Sequence, residues 1–153
     1  MGEIKYLNYT WNNFDDDVEH LSEILNSMTN IDDREFYFVG IFRGGLPLAI
    51  KLSNQFNSNM GIINYQSYER NADKKISFPI FNPGEDDTIV ILDDIVDTGK
   101  TLDIVNNTLL ARGFKNFIFM SIFKHENYQA LDRRIELYSC REKLNEFVVY
   151  PWE

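Results

Sequence analysis

The stretch Thr88-Ile89-Val90-Ile91-Leu92-Asp93-Asp94-Ile95-Val96-Asp97-Thr98-Gly99-Lys100-Thr101 decides the fold of this chain. Its first five residues are all β-branched or aliphatic, the pattern of a strand covered on both faces, as in the middle of a parallel sheet. Three carboxylates follow within five residues, then a turn at Asp97-Thr98-Gly99. Beyond the turn, Leu102, Val105, Leu109 and Leu110 fall at helical spacing, with a stop at Gly113. Strand, acidic turn and helix form one βα unit, and the question is whether the rest of the chain repeats it.

It does. Upstream, the aromatic run Phe36 to Phe42 predicts a strand that ends at Arg43-Gly44-Gly45, and a helix opens at Leu46-Pro47 and reaches about Phe56. Met60 to Tyr65 predicts another strand, and Ile76 to Phe81 one that returns to it after the polar, non-periodic segment Gln66 to Lys75. Near the N-terminus, Val18, Leu21, Ile24, Leu25 and Met28 mark an amphipathic helix over 15–28, with Asp15, Asp16 and Asp17 expected at its start. His20 lies off the apolar stripe and is expected to face solvent. Downstream, Phe117 to Phe123, Ile135 to Cys140 and the tail from Phe147 are further apolar runs. Alternating strands and helices predict an α/β fold: a largely parallel twisted sheet with helices on both faces.

Composition narrows the function. A chain of 153 residues is one ordinary domain, and 44% hydrophobic with 25% charged residues is the balance of a globular protein. Cys140 is the only cysteine, so no intrachain disulfide can form; it is read as a buried structural thiol in a reducing, cytoplasmic compartment. No apolar run reaches the length of a membrane span. A net charge of −9 opposes nonspecific nucleic-acid binding, which needs cations against several phosphates. The same charge means that a phosphorylated ligand must be held by local devices: backbone N–H groups, a few placed cations or a divalent metal.

The acidic strand end supplies such devices. Ligands in open α/β sheets bind beyond the carboxyl ends of strands, which is where Asp93, Asp94 and Asp97 fall. Crowded carboxylates call for a cation or a ligand rich in hydroxyl donors. Asp97, Thr98, Gly99, Lys100 and Thr101 add hydroxyls, a glycine and successive amides at a helix start, a cradle for a phosphate. Carboxylates for hydroxyls followed by amides for phosphate point to a ribose phosphate. Gly99-Lys100-Thr101 is no nucleotide P-loop, because that motif needs glycine five positions before Gly99 and Asp94 stands there. The plainer alternative is that Asp97 or Thr98 simply caps the helix.

The segment 89–101 resembles the donor-binding signature of type I phosphoribosyltransferases, combining an apolar strand, paired acids, a third acid and Thr-Gly-x-Thr. Resemblance extends from about Phe36 to the C-terminus through Ile41-Phe42-Arg43-Gly44-Gly45-Leu46, Ser67-Tyr68 and Pro151-Trp152-Glu153, and is strongest to the purine-salvage, xanthine-guanine members. It implies that Asp93 and Asp94 engage the ribose hydroxyls of phosphoribosyl pyrophosphate, directly or through magnesium, that residues 97–101 hold its 5-phosphate, and that Asp97 accepts a proton near N7 of the incoming purine. Phe42, Arg43, Gly44 and Gly45 would form the pyrophosphate loop, which in the family can carry a cis peptide. Residues 66–80, with Ser67 and Tyr68, would form a flexible loop that closes over the site. A base-binding hood would occupy 124–153, giving one domain over 1–153.

For the base, the resemblance places a lysine after the strand 117–123. Lys124 and His125 compete for that position; an ammonium is the better donor to an exocyclic oxygen at neutral pH. Phe147 stands where the family has tryptophan and would stack on the purine, with the Phe147 and Val148 carbonyls open to a 2-amino group. Aromatic-Val-Val is equally the pattern of a core strand. The resemblance therefore implies a magnesium-dependent enzyme that joins a 6-oxopurine to the donor as a homo-oligomer. The rival readings are a non-catalytic sensor of donor or nucleotide with the same fold, and a phosphoribosyltransferase for another base.

Overall fold

The computed structural model describes residues 2–29, 35–66, 75–130 and 132–153. Ser67 and Tyr68, with most of the expected flexible loop, lie outside the described residues.

Eight strands and three helices follow in the order β1 (Tyr6–Asn8), α1 (Trp11–Thr29), β2 (Phe36–Phe42), α2 (Leu46–Gln55), β3 (Met60–Gln66), β4 (Lys75–Ile80), β5 (Thr88–Val96), α3 (Lys100–Ala111), β6 (Phe117–His125), β7 (Leu137–Lys143) and β8 (Phe147–Val149). The main sheet has the order β4-β3-β2-β5-β6-β7, and every pairing is parallel except that of the edge strand β4 with β3. The expected α/β architecture is therefore present, with β5 flanked by β2 and β6.

Alternation along the strands builds two cores. Phe38, Val90, Leu92 and Met120 face α1 and α2, where they meet Leu21, Leu25, Leu48 and Leu52. Val39, Ile91 and Phe119 face the other way, onto Leu102, Val105 and Leu109 of α3. Each fully buried aliphatic side chain contributes roughly 1.5–3 kcal/mol, so both helical layers are fixed by side chains of the same central strands. The alternation slips by one residue near the carboxyl ends of β5 and β6. Ile122 and Phe123 both join the α1 side, and Ile95 packs there although Val96 lies in the α3 core. Asp93 is paired with Ser121 and Ile95 with Phe123, so the slip falls at the same level in both strands.

Three expectations are corrected. Helix α1 begins at Trp11 rather than near Asp15, because Thr10 and Asn13 cap it reciprocally: the Asn13 amide donates to Thr10 Oγ1 at 3.1 Å and the Thr10 amide to Asn13 Oδ1 at 3.0 Å. Asp15, Asp16 and Asp17 thus lie past the first turn, and Asp17 is buried, accepting from Tyr9 Oη at 2.5 Å and Arg141 Nε at 2.8 Å. Cys140 is half-buried rather than fully buried; it sits against the Asp17 carbonyl, and burial pushes its thiol up to about 12, out of reach of thiolate chemistry. Finally, β5 runs on to Val96, so Asp93 and Asp94 belong to the strand instead of following it. His20 is exposed, as expected.

The C-terminal region divides between two sheets. β7 extends the main sheet beside β6, while β8 pairs in parallel with β1 in a separate two-stranded sheet, with Tyr6 opposite Phe147 and Asn8 opposite Val149. No helix among the described residues is long and apolar enough to cross a membrane.

Candidate active site

The carboxyl ends of β2, β5 and β6 and the turns after them gather most of the candidate residues at one end of the main sheet. On β5, burial pushes the carboxyl groups of both Asp93 and Asp94 above the ordinary aspartate range, and repulsion from Asp94 adds to the effect at Asp93. The Asp94 amide donates to Asp93 Oδ1 at 2.9 Å. Two carboxylates held this closely with little water retain protons more readily than free ones, and a cation or a row of hydroxyl donors would relieve the pair.

The turn after β5 leads directly into α3. Gly99 is the N-cap residue, with φ +84°, and no side chain caps the helix. A Cβ there would run into the Tyr128 ring besides imposing a left-handed conformation on an ordinary residue. Thr98 Oγ1 accepts only a long bond, 3.3 Å, from the Lys100 amide. The plain helix-cap reading of Asp97 or Thr98 therefore does not hold. The first amides of α3 are left for another acceptor, and they line a hollow of about 100 Å³ with Asp93, Asp97, Thr98, Gly99, Lys100 and Thr101.

A second hollow, about 480 Å³, is lined by Arg43, Gly44, Asp94, Trp152 and Glu153. The Phe42–Arg43 peptide bond is cis. Gly44 lies so close to β5 that a Cβ on it would overlap the Asp94 carboxylate, and one on Gly45 would overlap the Leu92 carbonyl. Two glycines thus let the loop after β2 lie against the acidic end of β5. Asp93 borders one hollow and Asp94 the other. Trp152 and Glu153 reach this site without having been assigned a role from the sequence; the signal available was Pro151-Trp152-Glu153 in the family resemblance.

At the end of β6, Lys124 is opposite Val96, one residue from Asp97, and its Nζ lies 3.7 Å from Glu142 Oε1 on β7. His125 Nδ1 accepts from the Asn127 amide at 3.1 Å, so that nitrogen is engaged within its own turn. Lys124 is the freer to reach outward, since its ion pair with Glu142 is long and that partner is largely exposed. Phe147 is 58% exposed and meets the Tyr6 ring edge-on at 5.9 Å, whereas Val148 is buried in the α1-side core. The Phe147-Val148-Val149 run is thus a strand that keeps its aromatic outside. Among the described residues no group of three or more His, Cys, Asp or Glu side chains converges as a metal site, so a cation here would need oxygens from its ligand or from water as well as Asp93 and Asp94.

Known proteins share this fold. A purine phosphoribosyltransferase from Pyrococcus horikoshii Ot3 shares 26% identity and superposes with a TM-score of 0.80, over 98% of this chain and 95% of that one. The Helicobacter pylori xanthine-guanine-hypoxanthine phosphoribosyltransferase has the same fold, with a TM-score of 0.75 at 21% identity, over 97% of this chain and 93% of that one. By sequence, the hypoxanthine-guanine phosphoribosyltransferase of Mycoplasma genitalium is 24% identical over 124 residues, 77% of this chain and 70% of the relative. The profile of the phosphoribosyl transferase domain matches residues 9–152, so the chain belongs to the phosphoribosyl transferase domain family.

Proposed function

We propose that the protein transfers the 5-phosphoribosyl group of phosphoribosyl pyrophosphate to a 6-oxopurine, guanine, xanthine or hypoxanthine, giving a nucleoside monophosphate and pyrophosphate. The observation that carries this reading is the uncapped N-terminus of α3 immediately after a desolvated acid pair, with the Arg43-Gly44-Gly45 turn against that pair. Amides for a phosphate, carboxylates for a diol and a guanidinium for the leaving group stand in the order in which the donor carries those groups.

In the reaction a base nitrogen forms a bond to the anomeric carbon as the carbon–oxygen bond to pyrophosphate breaks, and the electron pair of that bond leaves with the pyrophosphate. Residues 97–101 hold the 5-phosphate and so fix the position of the sugar. Asp93 and Asp94 orient the ribose hydroxyls, and Arg43 with the amides of its loop receives charge that develops on the leaving oxygen. Asp97 takes the proton that the purine loses, Lys124 donates to the exocyclic oxygen, and Phe147 and Val148 supply a ring face and a carbonyl to the base. Magnesium fits the acid pair, whose desolvated carboxylates are raised in the absence of a cation, and when bound it supplies charge neutralisation to the donor and leaving group.

The segment between β3 and β4, Ser67 and Tyr68 included, serves as the closing loop in this reading. The chain works as a single domain, in a homo-oligomer in the cytoplasm. The test is purified protein with magnesium and donor, offered guanine, xanthine, hypoxanthine, adenine, uracil or orotate, with pyrophosphate release as the readout. Release with the 6-oxopurines supports the reading. Release only with another base overturns the substrate assignment, and donor binding without release from any base would establish a sensor instead.

A further inference from the structure

We infer that Tyr150 is a positioning residue for the donor site, acting through its hydrogen bond to the backbone of Asp94. The inference rests on the phosphoribosyl-transfer reading and extends it to a residue outside the acidic motif.

Tyr150 is 5% exposed, and its hydroxyl donates to the Asp94 carbonyl at 3.3 Å. The ring has little freedom to move away. It stacks on Trp152 at 4.8 Å with 13° between planes, and meets Tyr9 and Phe123 edge-on at 5.6 and 6.3 Å.

The bond falls where β2 ceases to pair with β5, although the ladder to β6 runs on to Val96. The β2–β5 ladder ends at Gly40 opposite Leu92, whereas β2 continues pairing with β3 as far as Phe42 opposite Asn64. Asp94 lies beyond that last rung, at the level where side-chain alternation slips. A carbonyl in such a place needs a donor from outside the ladder, and the Tyr150 hydroxyl supplies one. The same segment carries Trp152 and Glu153 to the hollow that Asp94 shares with Arg43 and Gly44. Tyr150 therefore joins the C-terminal segment to the backbone of an acid assigned to the ribose.

The test compares Tyr150→Phe with Tyr9→Phe. Each removes one hydroxyl from the same aromatic cluster and keeps the ring, but the Tyr9 hydroxyl donates to Asp17 on α1 instead of to β5. Tyr150→Phe should raise the KM for phosphoribosyl pyrophosphate by about three- to tenfold, the effect of one ordinary hydrogen bond, while the base KM stays within about twofold. Tyr9→Phe should lower the melting temperature with the donor KM unchanged. An unchanged donor KM in Tyr150→Phe, or equal changes in the two variants, overturns the inference. Should Tyr150→Phe fail to fold, the wild-type protein decides: with ¹³C-labelled tyrosine, the Tyr150 Cζ resonance should shift on adding donor and magnesium, and a resonance that stays in place overturns the inference. Wild-type protein inactive with every base would instead sink the transfer reading itself.

Discussion

At the scale of single residues, the acids at the end of β5 do different work. In the proposed mechanism Asp97 alone moves a proton, and general base catalysis typically contributes 10²–10⁴-fold. Asp97→Asn should therefore lower kcat by about that factor with little change in donor affinity; steady-state kinetics with donor and base varied in turn check both. Asp93 carries the opposite kind of consequence. Its folded-state pKa is raised, mainly by burial, so between the unfolded value and the folded one the native state binds more protons than the unfolded state. Stability from this group is accordingly present at low pH and is lost as pH rises through the folded pKa. Asp93→Asn removes the charge, and should raise stability at pH 8 with no gain at pH 4, as read by denaturant titration without metal. A variant less stable at pH 8 than wild type would contradict the assignment of that cost to Asp93.

At the scale of elements, the proposed mechanism has the end of β6 read the base. Lys124→Gln should raise the KM for a 6-oxopurine by roughly 10- to 100-fold, since a charged hydrogen bond is lost, while His125→Gln should change it little. The reverse pattern, measured with the same base, would transfer the contact to His125. Sequence alone left these neighbours open because both follow the same apolar run, and only the engagement of His125 Nδ1 by Asn127 separates them. Strands with strong local patterns were legible: β2, β3, β5 and β6 begin where their apolar runs begin, at Phe36, Met60, Thr88 and Phe117. Polar strand ends were not. β5 includes Asp93 and Asp94 because the ladder to β6 continues under them, which no propensity of aspartate foretells. β1 was missed for a similar reason, since a run of three residues, Tyr6-Leu7-Asn8, is too short to show a strand pattern and takes its strand geometry from pairing with β8. At the site, the glycines and acids were readable as chemistry. The contact of Gly44 with the Asp94 carboxylate was not, because it joins residues fifty positions apart through tertiary packing.

At the scale of the whole molecule, β1 and β8 tie the beginning of the chain to its end. The Phe147 amide donates to the Lys5 carbonyl at 2.7 Å and the Tyr9 amide to the Val149 carbonyl at 2.9 Å, so β1 is held on both sides of its short ladder. Deleting residues 1–8 removes β1 and leaves the Phe147 amide without its partner. The loss should lower the melting temperature by about 5 °C or more and raise the base KM, as followed by calorimetry and initial rates. An unaltered base KM would separate this small sheet from base recognition. The pairing also bears on synthesis. β1 is made well before its partner and cannot pair until residues 147–149 have followed, and domains assemble as their segments emerge. The central sheet can form while the nascent chain is still growing, but the Tyr150 hydroxyl and the hollow beside Asp94 arrive only with the final strand and the residues after it. A chain interrupted before residue 147 would keep much of its core and lack β8, the Tyr150 hydroxyl and the Trp152 and Glu153 side of the hollow beside Asp94.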